Sequence, residues 1–374
     1  MEGQMGMTSR QFFICIFLFT IGTAILAVPS SIAAEARQNA WQPPVIGIGV
    51  GMVMVLLYVS VSKNGGAKTL FEINESVLGR WIGWVVNMFL TFSILMFCAQ
   101  LLFYLGNFVL TQFMPETPLI SISLLFGSVG IMAVRSGLQT LVRSAELFFP
   151  WFCFFLALLI VLSIPQVKTD NLLPLFEADM PGILRSAYTF DSYTFLPLIF
   201  ILFILSSSII RPKSAYRNMY LASALGGLVL ILIILLSIGV LGAKESAMDL
   251  YPSYELAKAI NIAGFLQRIE AIMAFIWFIS VYIKMAFFLH CTVQGMKHLF
   301  RLKHPRAMAL PAGWIAIVLS TVVYPNAMYM KDWDSRVWSA FSLVLGIVYP
   351  LILLAIAIVR RKIAQSRGTV QDQE

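Results

Sequence analysis

The sequence predicts an all-α membrane protein of about ten transmembrane helices, on three observations. First, 59% of its 374 residues are hydrophobic and 12% are charged, with a mean hydropathy of +0.86. Soluble domains are nearer a quarter charged, so charge this sparse cannot cover a water-facing surface. Second, the apolar runs are long and continuous, whereas a membrane β-barrel shows short alternating segments. Third, the basic residues fall between those runs and favour alternate sides of the bundle.

The runs lie near 10–33, 42–62, 81–112, 117–134, 145–164, 182–208, 216–242, 266–293, 308–325 and 336–359. Each is about long enough to cross a ~30 Å hydrocarbon core as a helix. Residues 11–28 followed by Ala33-Ala34 mimic a signal peptide and its cleavage site. The start from Met1 to Arg10 carries one Glu and one Arg rather than a basic cluster, so the segment reads as the first span. The third run is long enough to tilt or to extend past the bilayer. Between the seventh and eighth runs, Ser253 reads as the cap of a short external helix carrying Glu255, Leu256, Ala259 and Ile260. Trp41, Trp81, Trp84, Trp333 and Trp338 stand at span ends, where indole prefers the interface. Residues 1–363 read as one transmembrane domain, with halves of about 10–164 and 182–359. From about Ala364 to Glu374 the polar tail reads as disordered.

Charge orients the bundle. With a cytoplasmic N-terminus, the inside segments hold seventeen Lys and Arg and the outside segments eight, with Lys284 left inside a span. Every inside loop is basic, which places both termini in the cytoplasm. The net charge of +8 therefore reads as a topology signal rather than a nucleic-acid footprint.

Several chemistries are absent from the pattern. Cys15, Cys98, Cys153 and Cys291 lie inside apolar runs with no metal spacing. His290, His298 and His304 sit at or beyond the inner end of the eighth run, also without metal spacing. There is no Ser-His-Asp arrangement, phosphate loop, nucleotide domain or paired intramembrane carboxylate, so the chain reads as no enzyme, needing no cofactor.

Two spans depart from ordinary ones. Span 1 carries Gly22, Thr23 and Pro29 at mid-depth. Span 6 carries Tyr188, Thr189, Asp191, Ser192, Tyr193, Thr194 and Pro197. An unwound turn exposes backbone groups that cost several kcal/mol each in lipid, so it survives only where a cavity supplies partners. A proline kink packed through small residues would give the same local pattern. The two spans hold corresponding positions in two five-span halves, which favours an inverted-repeat transporter design with broken helices.

Three further polar groups lie at membrane depth. Lys284 sits deep in span 8 and needs a partner, water, or a route to the inner face. Gln100 and Tyr104 are spaced i, i+4 on span 3 and share one face. They could line a ligand site or bond a neighbouring helix. Glu146, beside Arg143 at the start of span 5, reads as structural.

The span count, the run Ile21 to Pro29, the inner stretch Ser207 to Arg217 and the run Ile283-Lys284-Met285 together resemble the B subunits of spore germinant receptors. That family of endospore germination permeases belongs to the amino acid–polyamine–organocation (APC) transporter superfamily. The resemblance implies a 5+5 inverted-repeat, LeuT-like fold with a site between the broken spans 1 and 6 and spans 3 and 8. It implies an amino acid or other small nutrient as ligand, with a larger A subunit and a C lipoprotein subunit as partners in the spore inner membrane. Ligand binding would then trigger release of ions and dipicolinate. On this reading the backbone of Gly22, Thr23 and Ala24 holds the ligand carboxylate. Tyr188 to Ser192 face its amine or side chain, with Asp191 as counter-charge. Gln100, Tyr104 and Tyr282 complete the wall. Lys284 stands where sodium-coupled relatives hold a cation, so no sodium requirement is expected. A working proton-coupled amino acid transporter is the alternative.

Overall fold

In the computed structural model of the chain, the described residues are 6–66, 68–174, 179–205, 212–260 and 268–371. Every element among them is helical, and eight helices are long and apolar enough to cross a membrane. The remaining two spans are an interrupted helix and a shorter apolar one, which completes the expected ten.

Span 1 is two half-helices, Ser9–Ile21 and Ala24–Ala36. Span 2 is Gln42–Gly65, followed by a short amphipathic helix, Leu70–Leu78. Span 3 is Arg80–Gln112, the long helix the sequence suggests. Spans 4 and 5 are Leu119–Ser136 and Leu138–Ser163. Span 6 runs as an α-helix over Met180–Thr194, tightens to a 3₁₀ turn over Leu196–Ile201, and resumes at Leu202–Leu205. The residues 206–211 of the inner stretch that follows lie outside the described residues. Span 7 is Pro212–Leu241, span 8 is Glu270–Phe300 and span 9 is Ala309–Ser320. Span 10 begins at Ala327–Trp333 and contains two π-helical turns, Asp334–Trp338 and Val344–Val348. Its last segment, Tyr349–Gln371, stays helical past Ala364, where polarity suggests disorder. Ala, Gln, Lys and Arg there are good helix formers continuing an existing helix.

Spans 1, 3 and 8 are largely buried, as is span 6 over residues 190–203, and spans 2, 4, 5 and 10 turn much of their surface outward. That exposed surface is apolar, as with Val53, Leu125, Phe154 and Leu351, which suits contact with lipid.

Three prolines explain how the helices are tied together. A proline lacks the N–H that would satisfy the carbonyl four residues earlier, and in lipid such a carbonyl needs another donor. Pro29 frees the carbonyl of Ile25, and Ser253 Oγ donates to it at 2.6 Å. Pro197 frees the carbonyl of Tyr193, and Lys284 Nζ donates to it at 3.2 Å. Pro350 frees the carbonyl of Gly346, and Tyr58 Oη donates to it at 2.8 Å. Each donor comes from a different helix, so each kink is also an inter-helix bond.

The external helix, Pro252–Ala259, departs from expectation in one respect. Tyr251, not Ser253, precedes its first turn, and no side chain caps it. Ser253 points into the bundle because Ile25 offers it a freed acceptor. Glu146 likewise bonds Gln11 Nε2 at 2.9 Å, so its partner lies on span 1.

At the basic end, the helix Leu70–Leu78 is fixed by a capping box between Thr69 and Glu72. Its Asn74 donates to Asn87 Oδ1 on span 3 at 2.7 Å and accepts from Tyr349 Oη on span 10 at 2.6 Å. Its Glu75 lies 2.9 Å from His298 Nε2 on span 8. This helix joins three spans just below the broken ones.

Candidate functional site

The two breaks face each other, and Lys284 lies between them. In span 1 the helix stops at Gly22, whose φ of +22° is a conformation side chains rarely adopt. The second half-helix starts at Ala24; the N–H groups of Leu26 and Ala27 bond the carbonyl of Thr23, whereas those of Ala24 and Ile25 precede the first intrahelical bond. In span 6 the α-helix ends after Thr194, where Pro197 forces the tighter turn.

Lys284 is 3% exposed. Its ammonium donates to Thr23 Oγ1 at 3.3 Å and to the carbonyl of Tyr193 at 3.2 Å, and it lies 5.1 Å from the centroid of the Phe19 ring. One turn earlier, Ser280 Oγ donates to the carbonyl of Gly22 at 3.3 Å. The amine therefore meets a backbone carbonyl at the break of span 6 and a hydroxyl at the break of span 1, while Ser280 takes the carbonyl of Gly22. A Cβ built on Gly22 would stand 2.6 Å from Lys284 Cδ, so only glycine leaves room for this side chain.

Span 10 closes the opposite end of the site. Tyr104 Oη donates to Asp334 Oδ2, and Tyr193 faces the same carboxylate. Tyr188 Oη donates to the carbonyl of Ser339. Trp338 packs edge-on against Phe97 at 5.1 Å and against Tyr193 at 5.9 Å between centroids. Trp338 is thus a wall of the site rather than an interface anchor. The π-turn adds a residue to the helical repeat and re-aims it inward. Trp81, by contrast, is 85% exposed, as an interface tryptophan should be.

The sequence-nominated residues divide accordingly. Gly22, Thr23 and Ala24 form the break of span 1 and sit beside Lys284. Gln100 and Tyr104 share a buried face of span 3, and Tyr104 reaches span 10. Tyr188 ties span 6 to span 10. Asp191 is 4% exposed and turns toward span 2, its Oδ1 lying 3.1 Å from where a Cβ on Gly47 would stand. That oxygen has no hydrogen-bond partner among the described residues. Ser192 Oγ is spent locally on the carbonyl of Thr189 at 2.7 Å. Tyr282 faces span 5, with Ser144 Oγ 3.4 Å from its hydroxyl. Sequence reasoning passes over Ser280, Tyr193 and Asp334. Ser280 is four residues before Lys284 and so shares its face, a signal already present in the sequence.

Among the described residues no group of three or more His, Cys, Asp or Glu could hold a metal ion.

Known proteins place this architecture. The family described as "Spore germination protein" matches residues 6–330. "Spore germination protein KB" of Bacillus subtilis (strain 168) is 25% identical over 356 residues, covering 94% of this chain and 95% of that protein. "Putative spore germination protein YfkT" of the same organism is 26% identical over 343 residues, covering 91% and 92%. Among solved structures, Mhp1, a nucleobase-cation-symport-1 family transporter in a closed conformation with bromovinylhydantoin bound, superposes with a TM-score of 0.69. It is 10% identical and covers 94% of this chain and 78% of its own. MhsT in complex with L-phenylalanine gives a TM-score of 0.65 at 13% identity, covering 93% and 97%. These likenesses fix the fold as that of an inverted-repeat transporter.

Proposed function

The chain belongs to the spore germination protein family, and from that premise we propose that it is the nutrient-sensing subunit of a spore germinant receptor. It binds an amino acid or another small nutrient between spans 1, 3, 6 and 10. The observation that carries this reading is the meeting of both helix breaks at one buried side chain, Lys284. A ligand carboxylate has the N–H groups of Ala24 and Ile25 and the ammonium of Lys284 to bind. Gln100, Tyr104 and Tyr188 belong to the wall around it. The fold itself is shared with proteins whose structures hold small organic ligands, an amino acid among them.

Sensing requires that the ligand favour one of two bundle arrangements, because equal affinity for both would carry no signal. A larger A subunit and a C lipoprotein subunit would read that shift in the spore inner membrane. The excess of basic residues in alternate loops supports cytoplasmic termini. The test replaces Gly22 by Leu, which fills the space Lys284 occupies. Spores carrying Gly22→Leu are expected to lose nutrient-triggered germination while the protein remains in the membrane. Normal germination by those spores would refute the site.

One observation favours a second reading. A lysine bonded to both broken spans is a group that could change protonation during a transport cycle. On that reading the chain is a proton-coupled amino acid transporter. Reconstituted vesicles distinguish the two: labelled amino acid accumulates under a pH gradient only if solute is carried.

A further inference from the structure

The charges on the first turns of span 10 are unevenly matched. Asp332 Oδ1 lies 2.7 Å from Arg336 Nε on the exposed face of the helix, an i, i+4 pair. Asp334, between them in sequence, points the other way. No described Lys, Arg or His pairs with it, and Tyr104 and Tyr193 are its polar neighbours. Two residues from Asp332, its side chain lies on another face of the helix, and it opens the π-turn Asp334–Trp338, the kind of irregularity that recurs at functional sites.

The surroundings of that carboxylate are aromatic. Tyr193 and Trp338 stand 5.9 Å apart, and Tyr104 and Tyr324 stand 6.4 Å apart between centroids. The indole Nε1 of Trp338 is buried with no partner among the described residues. A carboxylate held by two phenol hydroxyls among aromatic rings is an arrangement suited to an organic cation, since the anion attracts it and the rings can pack on it.

Tyr193 sets the polarity of the whole site. Its carbonyl accepts from Lys284, its ring packs on Trp338 and its hydroxyl end faces Asp334. One tyrosine therefore spans the distance between a buried amine and a half-buried acid. Resting on the reading above, we propose that Asp334, framed by Tyr104, Tyr193 and Trp338, takes the ammonium of a zwitterionic ligand whose carboxylate faces Lys284. The assignment replaces Asp191, which turns toward span 2. Asp334 lies beyond the stretch matched by the family, residues 6–330, so it is read from this chain alone. The ligand class is a primary amine carrying a carboxylate, and binding it would compete with Tyr104 for the carboxylate that ties span 10 to span 3.

The test uses the full chain purified in detergent, with thermal unfolding as readout. The probes are the standard amino acids, the acids formed by replacing the α-amine of each with hydrogen, glucose and inosine. At least one amino acid is expected to stabilise the wild-type protein, and its deaminated counterpart is not. Asp334→Asn is expected to weaken that amino acid by about tenfold or more, whereas Asp332→Asn leaves it unchanged. Equal stabilisation by an amino acid and its deaminated acid would overturn the assignment, as would an unchanged response in Asp334→Asn. Stabilisation by glucose or inosine alone would overturn the assignment and leave the sensor reading standing. Silence toward every probe would overturn the sensor reading itself. Should Asp334→Asn fail to fold, the paired series on wild-type protein decides the matter.

Discussion

Lys284 donates to the carbonyl of Tyr193 that Pro197 leaves without an N–H, across 3.2 Å between spans 8 and 6. The same ammonium reaches Thr23 at the break of span 1. A lysine amine is thus fixed at the place where two helices fail. A metal cation bound there would meet both electrostatic repulsion and occupied acceptors.

The first prediction concerns that amine. The melting temperature of the purified protein, and the affinity of any amino acid that stabilises it, are expected to stay the same when sodium chloride is replaced by choline chloride at equal ionic strength. Thermal unfolding in the two salts checks this. A specific stabilisation by sodium would mean that Lys284 does not fill the cation's place.

Gly22→Ala tests the close approach at the break. The new Cβ would fall 2.6 Å from Lys284 Cδ and 2.9 Å from the carbonyl oxygen of Phe19, at a positive φ. Overpacking with backbone strain is expected to cost about 1–3 kcal/mol, read as a lower melting temperature. An unshifted transition would show that the lysine can move aside freely.

Ser253 and Pro29 form a coupled pair although they never bond each other. Ser253→Ala leaves the carbonyl of Ile25 without a donor and is expected to cost about 1–3 kcal/mol. Pro29→Ala restores the intrahelical N–H, so Ser253→Ala should cost much less in that background. A double-mutant cycle on unfolding midpoints measures the difference. Strictly additive effects would separate the two residues.

Asp249, in the outer loop, supplies a pH dependence. Burial raises its carboxyl above the ordinary value, Glu255 and Glu245 raise it further, and Lys258 opposes them. An acid raised in the fold contributes stability at pH below its unfolded value, and that contribution is lost as pH rises through the folded value. Asp249→Asn should therefore melt higher than wild type at neutral pH, with the gap closing below about pH 4. Parallel melting curves across that range would count against it.

Much of this molecule is legible in its sequence because lipid punishes exceptions. Ten spans follow from apolar length, and the two broken ones follow from Gly22 and Pro197, whereas Pro29 sits inside the continuous second half of span 1. What the sequence conceals is direction. Tyr282 and Lys284 are two residues apart on one helix, so they face different neighbours, and helical spacing favours Ser280 as the companion of Lys284. Asp191 satisfies every criterion for a buried functional acid, yet its face of the helix belongs to span 2. Asp334 sits in the polar run Lys331 to Arg336, which reads as loop. It opens a π-turn, which no periodicity of 3.6 reveals.

The proline-freed carbonyls at Ile25, Tyr193 and Gly346 behave as detents. Each holds a donor from another helix. Losing that donor strands a polar group in a medium that offers no substitute. A bundle latched at three such bonds resists small displacements and yields only in whole steps. An element that must report presence or absence, rather than amount, is well served by that mechanical discreteness.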